Sequence, residues 1–110
     1  MTVLSAFRLM WMMVMFDLPV ATSQERKEAV QFRKFLLGQG FEMYQFSVYF
    51  RFCGDRSNIE PYTSKIRKNV PSNGKVSLLF FTDKQFSDII HIYNRHIKKT
   101  TEKPESYVLL

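Results

Sequence analysis

The chain has 110 residues, 16 Lys+Arg against 10 Asp+Glu, and a formal net charge of +6. That length is one domain, since domains commonly run about 100–150 residues. Hydrophobic residues at 45% and 11 Phe exclude disorder and collagen-like repeats, while the basic balance favours a polyanionic partner, either nucleic acid or an anionic membrane surface.

Leu9 to Phe16 is apolar at every position, as expected of a central strand covered on both faces. It falls far short of the roughly 20 apolar residues a membrane span needs. Asp17 and Pro19 follow it directly and Arg8 is the one charge before it, which argues against a secretory leader. Thr22-x-x-Glu25 is a capping box. It opens a helix with Ala29, Phe32, Phe35 and Leu36 on its inner stripe, ended by Gly38 or Gly40. Strand alternation follows, with Tyr44, Phe46, Val48, Phe50 and Phe52 on one face and Gln45, Ser47, Tyr49 and Arg51 on the other. A bend at Gln45 to Ser47 would divide this stretch into two strands.

Ser57-x-x-Glu60 reads as a second capping box, starting a helix with Ile59, Tyr62, Ile66 and Val70 inward. Val70 to Lys75 is a turn and Val76 to Thr82 a strand. Asp83 is placed to cap one helical turn containing Phe86. Ile89 to Tyr93 fits helix and strand equally. Ile97 to Glu105 is a polar, basic arm, and Tyr107 to Leu110 a short apolar end that could add a strand to an open edge. The order predicts an α+β fold, βαββαβ and ferredoxin-like, with both helices on one face of an antiparallel sheet. Residues 1–95 form this domain and 96–110 a basic C-terminal arm.

Asp17 has two readings: a turn residue bonded to local backbone, or a carboxylate at a strand's carboxyl end, where such folds collect ligands. One carboxylate is a poor Mg2+ site, and a two-fold dimer would supply a second. His91 and His96 are five apart, which suits neither a metal pair nor a general base, and both read as solvent-exposed. Cys53, the only cysteine, excludes an internal disulfide and points to a reducing cytoplasm; it reads as a small buried hydrophobe. No Gly-rich phosphate loop leads into a helix. Basic residues cluster as Arg26, Lys27, Arg33 and Lys34, as Lys65, Arg67 and Lys68, and as Arg95, Lys98, Lys99 and Lys103. Sparse acid around the last two groups favours phosphate contacts. A single-stranded RNA-binding module shares the element order, although Gln45 to Phe52 lacks the glycine of its signature.

Val14-Met-Phe-Asp17-Leu-Pro19, Glu25-Arg-Lys27, Phe32-Arg-Lys-Phe-Leu36, Gln45-Phe-Ser-Val-Tyr49, Gly74-Lys-Val-Ser-Leu and Thr82-Asp-Lys-Gln-Phe86 together resemble the small CRISPR-associated endonucleases of spacer acquisition, the Cas2 family. The likeness is greatest to members that accompany single-effector (type II) systems. It runs from about Met10 to Phe86. It implies that Asp17 is a catalytic residue and Mg2+ ligand, and that two ferredoxin-like subunits face each other through their sheets. Gln45, Ser47, Tyr49 and Arg51 would then line the dimer interface. It implies a strand over Ile89 to Tyr93 and pairing of Tyr107 to Leu110 with a neighbouring subunit. It further implies metal-dependent cleavage of RNA or double-stranded DNA, or a structural bridge between integrase dimers in which hydrolysis is dispensable.

Overall fold

The computed structural model describes residues 8–98. The elements run β1 (Leu9–Asp17), α1 (Ser23–Gly38), β2 (Glu42–Gln45), β3 (Val48–Asp55), α2 (Ile59–Asn69), β4 (Lys75–Thr82), α3 (Asp83–Ser87), β5 (His91–Tyr93) and β6 (His96–Lys98). Four strands form one sheet in the order β2-β3-β1-β4, antiparallel at every junction. This is the ferredoxin-like α+β fold. β1 is central, as its unbroken apolar run requires. Met13 lies opposite Phe50 on one side and Leu79 on the other.

The helix-covered face carries Met12 and Val14 of β1, Tyr49 and Cys53 of β3, Phe32 and Leu36 of α1, and Ile66 of α2. Fully burying each large apolar side chain contributes roughly 1.5–3 kcal/mol. The opposite face is equally apolar: Trp11, Met13, Val48, Phe50 and Phe52 pack beneath Phe86 of α3. Trp11 stacks on Phe86 with ring centroids 3.9 Å apart and donates its indole N–H to Asp83 at 2.8 Å.

The Thr22–Glu25 capping box forms as expected. α1 ends in a Schellman motif, the Phe41 amide donating to Leu36 and the Gly40 amide to Leu37. Gly40 supplies the positive φ of 86° that this ending requires.

Two caps differ from the sequence reading. Asp55, not Ser57, holds the entry to α2. Its carboxylate accepts the Ser57 amide at 2.9 Å and starts a 3-10 turn, Arg56–Asn58, so the helix begins only at Ile59. Likewise Thr82 caps α3 in a capping box with Gln85, which makes Asp83 the first helical residue.

The alternation of β3 is as expected, but its faces are covered the other way round. Tyr49 is 1% exposed in the helix-side core. The Arg51 guanidinium lies over the Tyr62 ring at 4.6 Å and donates to the Tyr62 hydroxyl. Both residues therefore sit under the helices, and the expected place for Tyr49 and Arg51 in a sheet-to-sheet interface is corrected. Gln45 ends β2 and Ser47, with φ of 62°, forms the bend between β2 and β3. Among the described residues, β3 presents no open polar face for them to share.

Ile89 to Tyr93 resolves as strand only from His91, and β5 pairs with β6 in a separate two-stranded sheet rather than extending the main one. His91 is not solvent-exposed: half-buried, it meets the Tyr44 hydroxyl through Nδ1 at 2.8 Å. His96 is exposed. Ile97 and Lys98, read as the start of the basic arm, belong to β6. The remainder of that arm, with Lys99, Lys103 and Tyr107 to Leu110, lies outside the described residues. Among the described residues no helix is long and apolar enough to cross a membrane.

Candidate functional site

Asp17 is the last residue of β1, and its position follows from local chemistry. Pro19 has no amide donor to extend the ladder, and Gly74 packs against the backbone at Asp17. Lys75 is its cross-strand partner on β4. The carboxylate is exposed and, among the described residues, enters no hydrogen bond or ion pair. The turn reading, which required a bond from the side chain to local backbone, is thereby set aside.

Two hollows meet at this strand end. On the helix side a cleft of about 360 Å³ lies between α1 and the β2–β3 bend, bordered by Phe16, Arg26, Arg33, Met43, Phe46 and Tyr49. On the opposite face a shallower hollow of about 340 Å³ runs from Met15 to Lys75 and Ser77. Asp17, Phe16, Phe46 and Ser47 border both. The Phe16 amide donates to the Ser47 carbonyl at 3.0 Å, tying the strand end to the bend.

Arg26 is anchored by bonds from its Nη1 to the Val20 and Ala21 carbonyls, both 3.1 Å. Arg33 is half-buried beside Tyr49. Burial pushes the Tyr49 phenol above its ordinary value, and the Arg33 charge opposes that. The Tyr49 hydroxyl finds no hydrogen-bond partner among the described residues.

Lys65, Arg67 and Lys68 are exposed on α2, away from Asp17 in sequence and outside both hollows. Lys98 ends β6. Arg26 and Arg33 are the expected phosphate-binding residues that the fold brings to Asp17. Phe46, Met43 and Lys75 were not singled out from sequence as site residues. The expected bend at Gln45 to Ser47 was the available signal, because it throws Phe46, 83% exposed, out of the strand to the rim.

Mg2+ takes hard oxygen ligands, commonly one or two carboxylates with waters and phosphate oxygens. Asp17 has the right donor atom and is free to turn toward an ion. Among the described residues no three His, Cys, Asp or Glu side chains converge, so one chain offers a single carboxylate. Cys53 is no alternative ligand, since burial pushes its thiol up to about 11. The aromatic residues of β3 are buried on both faces, which leaves no exposed stacking platform on that strand of the kind a single-stranded RNA-binding module uses.

The class of this molecule is ferredoxin-like α+β, an antiparallel sheet in the order β2-β3-β1-β4 with an aspartate closing its central strand. The family model described as CRISPR associated protein Cas2 matches residues 10–89, and the chain belongs to that family. A relative from Flavobacterium psychrophilum, named CRISPR-associated endoribonuclease Cas2, is 44% identical over 99% of this chain and 94% of its own length. Relatives of the same name from Paracidovorax avenae and Ligilactobacillus salivarius are 43% and 41% identical, covering 96% and 92% of this chain and 98% and 100% of their own lengths.

Proposed function

We propose that this protein acts in CRISPR adaptation as a cytoplasmic homodimer that binds double-stranded DNA and bridges integrase dimers during spacer acquisition. The observation that carries the DNA-binding reading is the state of the helical cations. Arg26, Lys27, Lys34, Lys65, Arg67 and Lys68 are exposed, and none is held in an ion pair with a described residue. Cations left open on one layer are available to neutralise phosphates and release counterions. Bridging integrase dimers is the role the family resemblance implies, and a two-fold dimer would present this layer twice.

Replacing Lys65, Arg67 and Lys68 with alanine tests the reading. Affinity for duplex DNA should fall whatever its sequence, and the slope of log K against log salt should flatten by about 0.9 for each phosphate that is no longer neutralised. An unchanged slope overturns the assignment of α2. Co-migration of the protein with its integrase subunit in gel filtration tests the bridging role.

A second reading is favoured by the exposed, unengaged Asp17 carboxylate and by the endoribonuclease name of the relatives. It is a Mg2+-dependent phosphodiesterase acting on RNA or duplex DNA. Two Asp17 side chains, one from each subunit, would hold the ion, which supplies charge stabilisation at the scissile phosphate and an activated water. Arg26 and Arg33 would orient the strand through its phosphates, and Lys75 would offset the charge of Asp17. Wild type and Asp17→Ala compared in Mg2+ and in EDTA decide it. Equal cleavage by both proteins removes Asp17 from the chemistry.

A further inference from the structure

We propose that the β5–β6 ribbon is an arm that reaches duplex DNA and holds a backbone phosphate with Arg95 at its tip, an inference that rests on the DNA-binding reading above. β5 and β6 form a two-stranded sheet of their own, in which His91 pairs with Lys98, Ile92 with Ile97 and Tyr93 with His96. Asn94 and Arg95 alone join the two strands. Their φ angles are 50° and 68°, and positive φ at both positions is what a two-residue turn needs to match the twist of its strands. The root of the ribbon is held at His91, whose Nδ1 meets the Tyr44 hydroxyl at 2.8 Å. Every residue from Ile92 to Ile97 is exposed, and three residues of strand carry the tip about 10 Å beyond the root.

The second turn position is where glycine is favoured, because it has no Cβ to crowd the left-handed backbone. An arginine there accepts that strain, and the fold shows no return for it. Arg95 is exposed and enters no hydrogen bond or ion pair with a described residue. Residues held in such conformations cluster where a ligand is met. The surrounding sequence sets the class of that ligand. No Asp or Glu occurs between Asp88 and Glu102, a stretch that holds Arg95, Lys98 and Lys99 together with His91 and His96. A guanidinium pairs best with carboxylate or phosphate oxygens, and a stretch free of acid attracts a polyanion. The ribbon is also the right width for a duplex, since the major groove of B-DNA is about 12 Å across and admits two paired strands between its rows of phosphates. Arg95 stands on a different element from Lys65, Arg67 and Lys68, so the arm is a contact separate from theirs.

The test is fluorescence anisotropy of the full chain on a blunt DNA duplex across a salt series, for wild type, Arg95→Gly and Arg95→Lys. Arg95→Gly gives the turn the residue it favours, so this variant should melt at or above wild type. Its affinity should nevertheless fall about eightfold at 0.1 M salt, the effect of one counterion no longer released, and its slope of log K against log salt should flatten by about 0.9 for each tip that touches a phosphate. Arg95→Lys keeps the charge and should keep the wild-type slope. Equal affinity and slope for Arg95→Gly and wild type overturn the arm and leave the α2 reading standing. That is the result expected if the exposed Ile92–Ile97 pair marks a protein-docking face instead. A melting temperature of Arg95→Gly well below wild type also overturns it, because Arg95 would then be serving the fold. Failure of wild type to bind the duplex overturns both proposals.

Discussion

Gly74 offers the sharpest test of how the site is built. Its φ of +105° is a backbone conformation that side chains rarely adopt, and an added Cβ would stand 2.8 Å from the Asp17 carbonyl oxygen, 2.8 Å from Leu18 Cδ2 and 3.0 Å from Pro19 Cδ. Gly74→Ala therefore incurs two costs. The conformation itself is unfavourable by about 1–3 kcal/mol. Displacing backbone to clear the contact adds about 1–3 kcal/mol. In a domain of this size each kcal/mol lowers the melting temperature by roughly 4–8 °C, so a loss of about 8 °C is the minimum expected. Gly38→Ala is the matched control. A Cβ at Gly38, the last residue of α1, meets nothing within 4 Å, and Ala exceeds Gly in helices by about 0.5–1 kcal/mol. Circular dichroism melts at one fixed protein concentration should thus move the two variants in opposite directions. A Gly74→Ala protein that melts at or above wild type would refute the close approach of β4 to the Asp17 turn.

Trp11→Phe keeps a ring over Phe86 but removes the N–H that Asp83 accepts; it should cost about 1–3 kcal/mol in urea denaturation. Arg51→Met should lower the urea midpoint while leaving the concentration dependence of the oligomer unchanged, because Arg51 contacts Tyr62 of its own chain. Cys53 sets a pH effect: folding raises its pKa from 9.0 to about 11 by burial, favouring the neutral thiol. The resulting stability is fully present below about 9 and is lost as pH climbs toward about 11. Tyr44 and Tyr49 are pushed in the same direction by burial and add to that loss. Urea midpoints for wild type and Cys53→Ala across this range isolate the thiol.

The features legible in the sequence were those encoded within a few residues. The apolar run of β1, the Thr22 capping box and the glycine ending of α1 each announce themselves locally, and the order of elements followed. Asp17 was legible for the same reason, as the first charge after an apolar strand. Which face of β3 the helices would cover was not. Alternation separates Tyr49 and Arg51 from Phe50 and Phe52, but Tyr49, Phe50 and Phe52 are all buried and Arg51 is half-buried, and Arg51 looked solvent-facing because its partner Tyr62 arrives from α2. The Trp11–Asp83 bond joins residues 72 apart, beyond any local pattern. Thr82-x-x-Gln85 was readable as a capping box by the rule that found Thr22, and Asp83 drew the assignment instead. The cleft depends on bringing α1 alongside the β2–β3 bend, so Phe46 acquires its position only after the fold closes.

The central place of β1 also bears on how the protein is made. Its hydrogen-bonding partners are β3 and β4, both later in the chain, so on the ribosome Leu9 to Phe16 emerges ahead of both and its second edge is paired only once β4 has followed. A charge-free, proline-free apolar strand with an open edge is the kind of segment that recruits other chains. Synthesis must therefore pass Thr82 before this segment is closed on both sides. Chains that stall or are cut before β4 should enter inclusion bodies, while complete chains remain in solution.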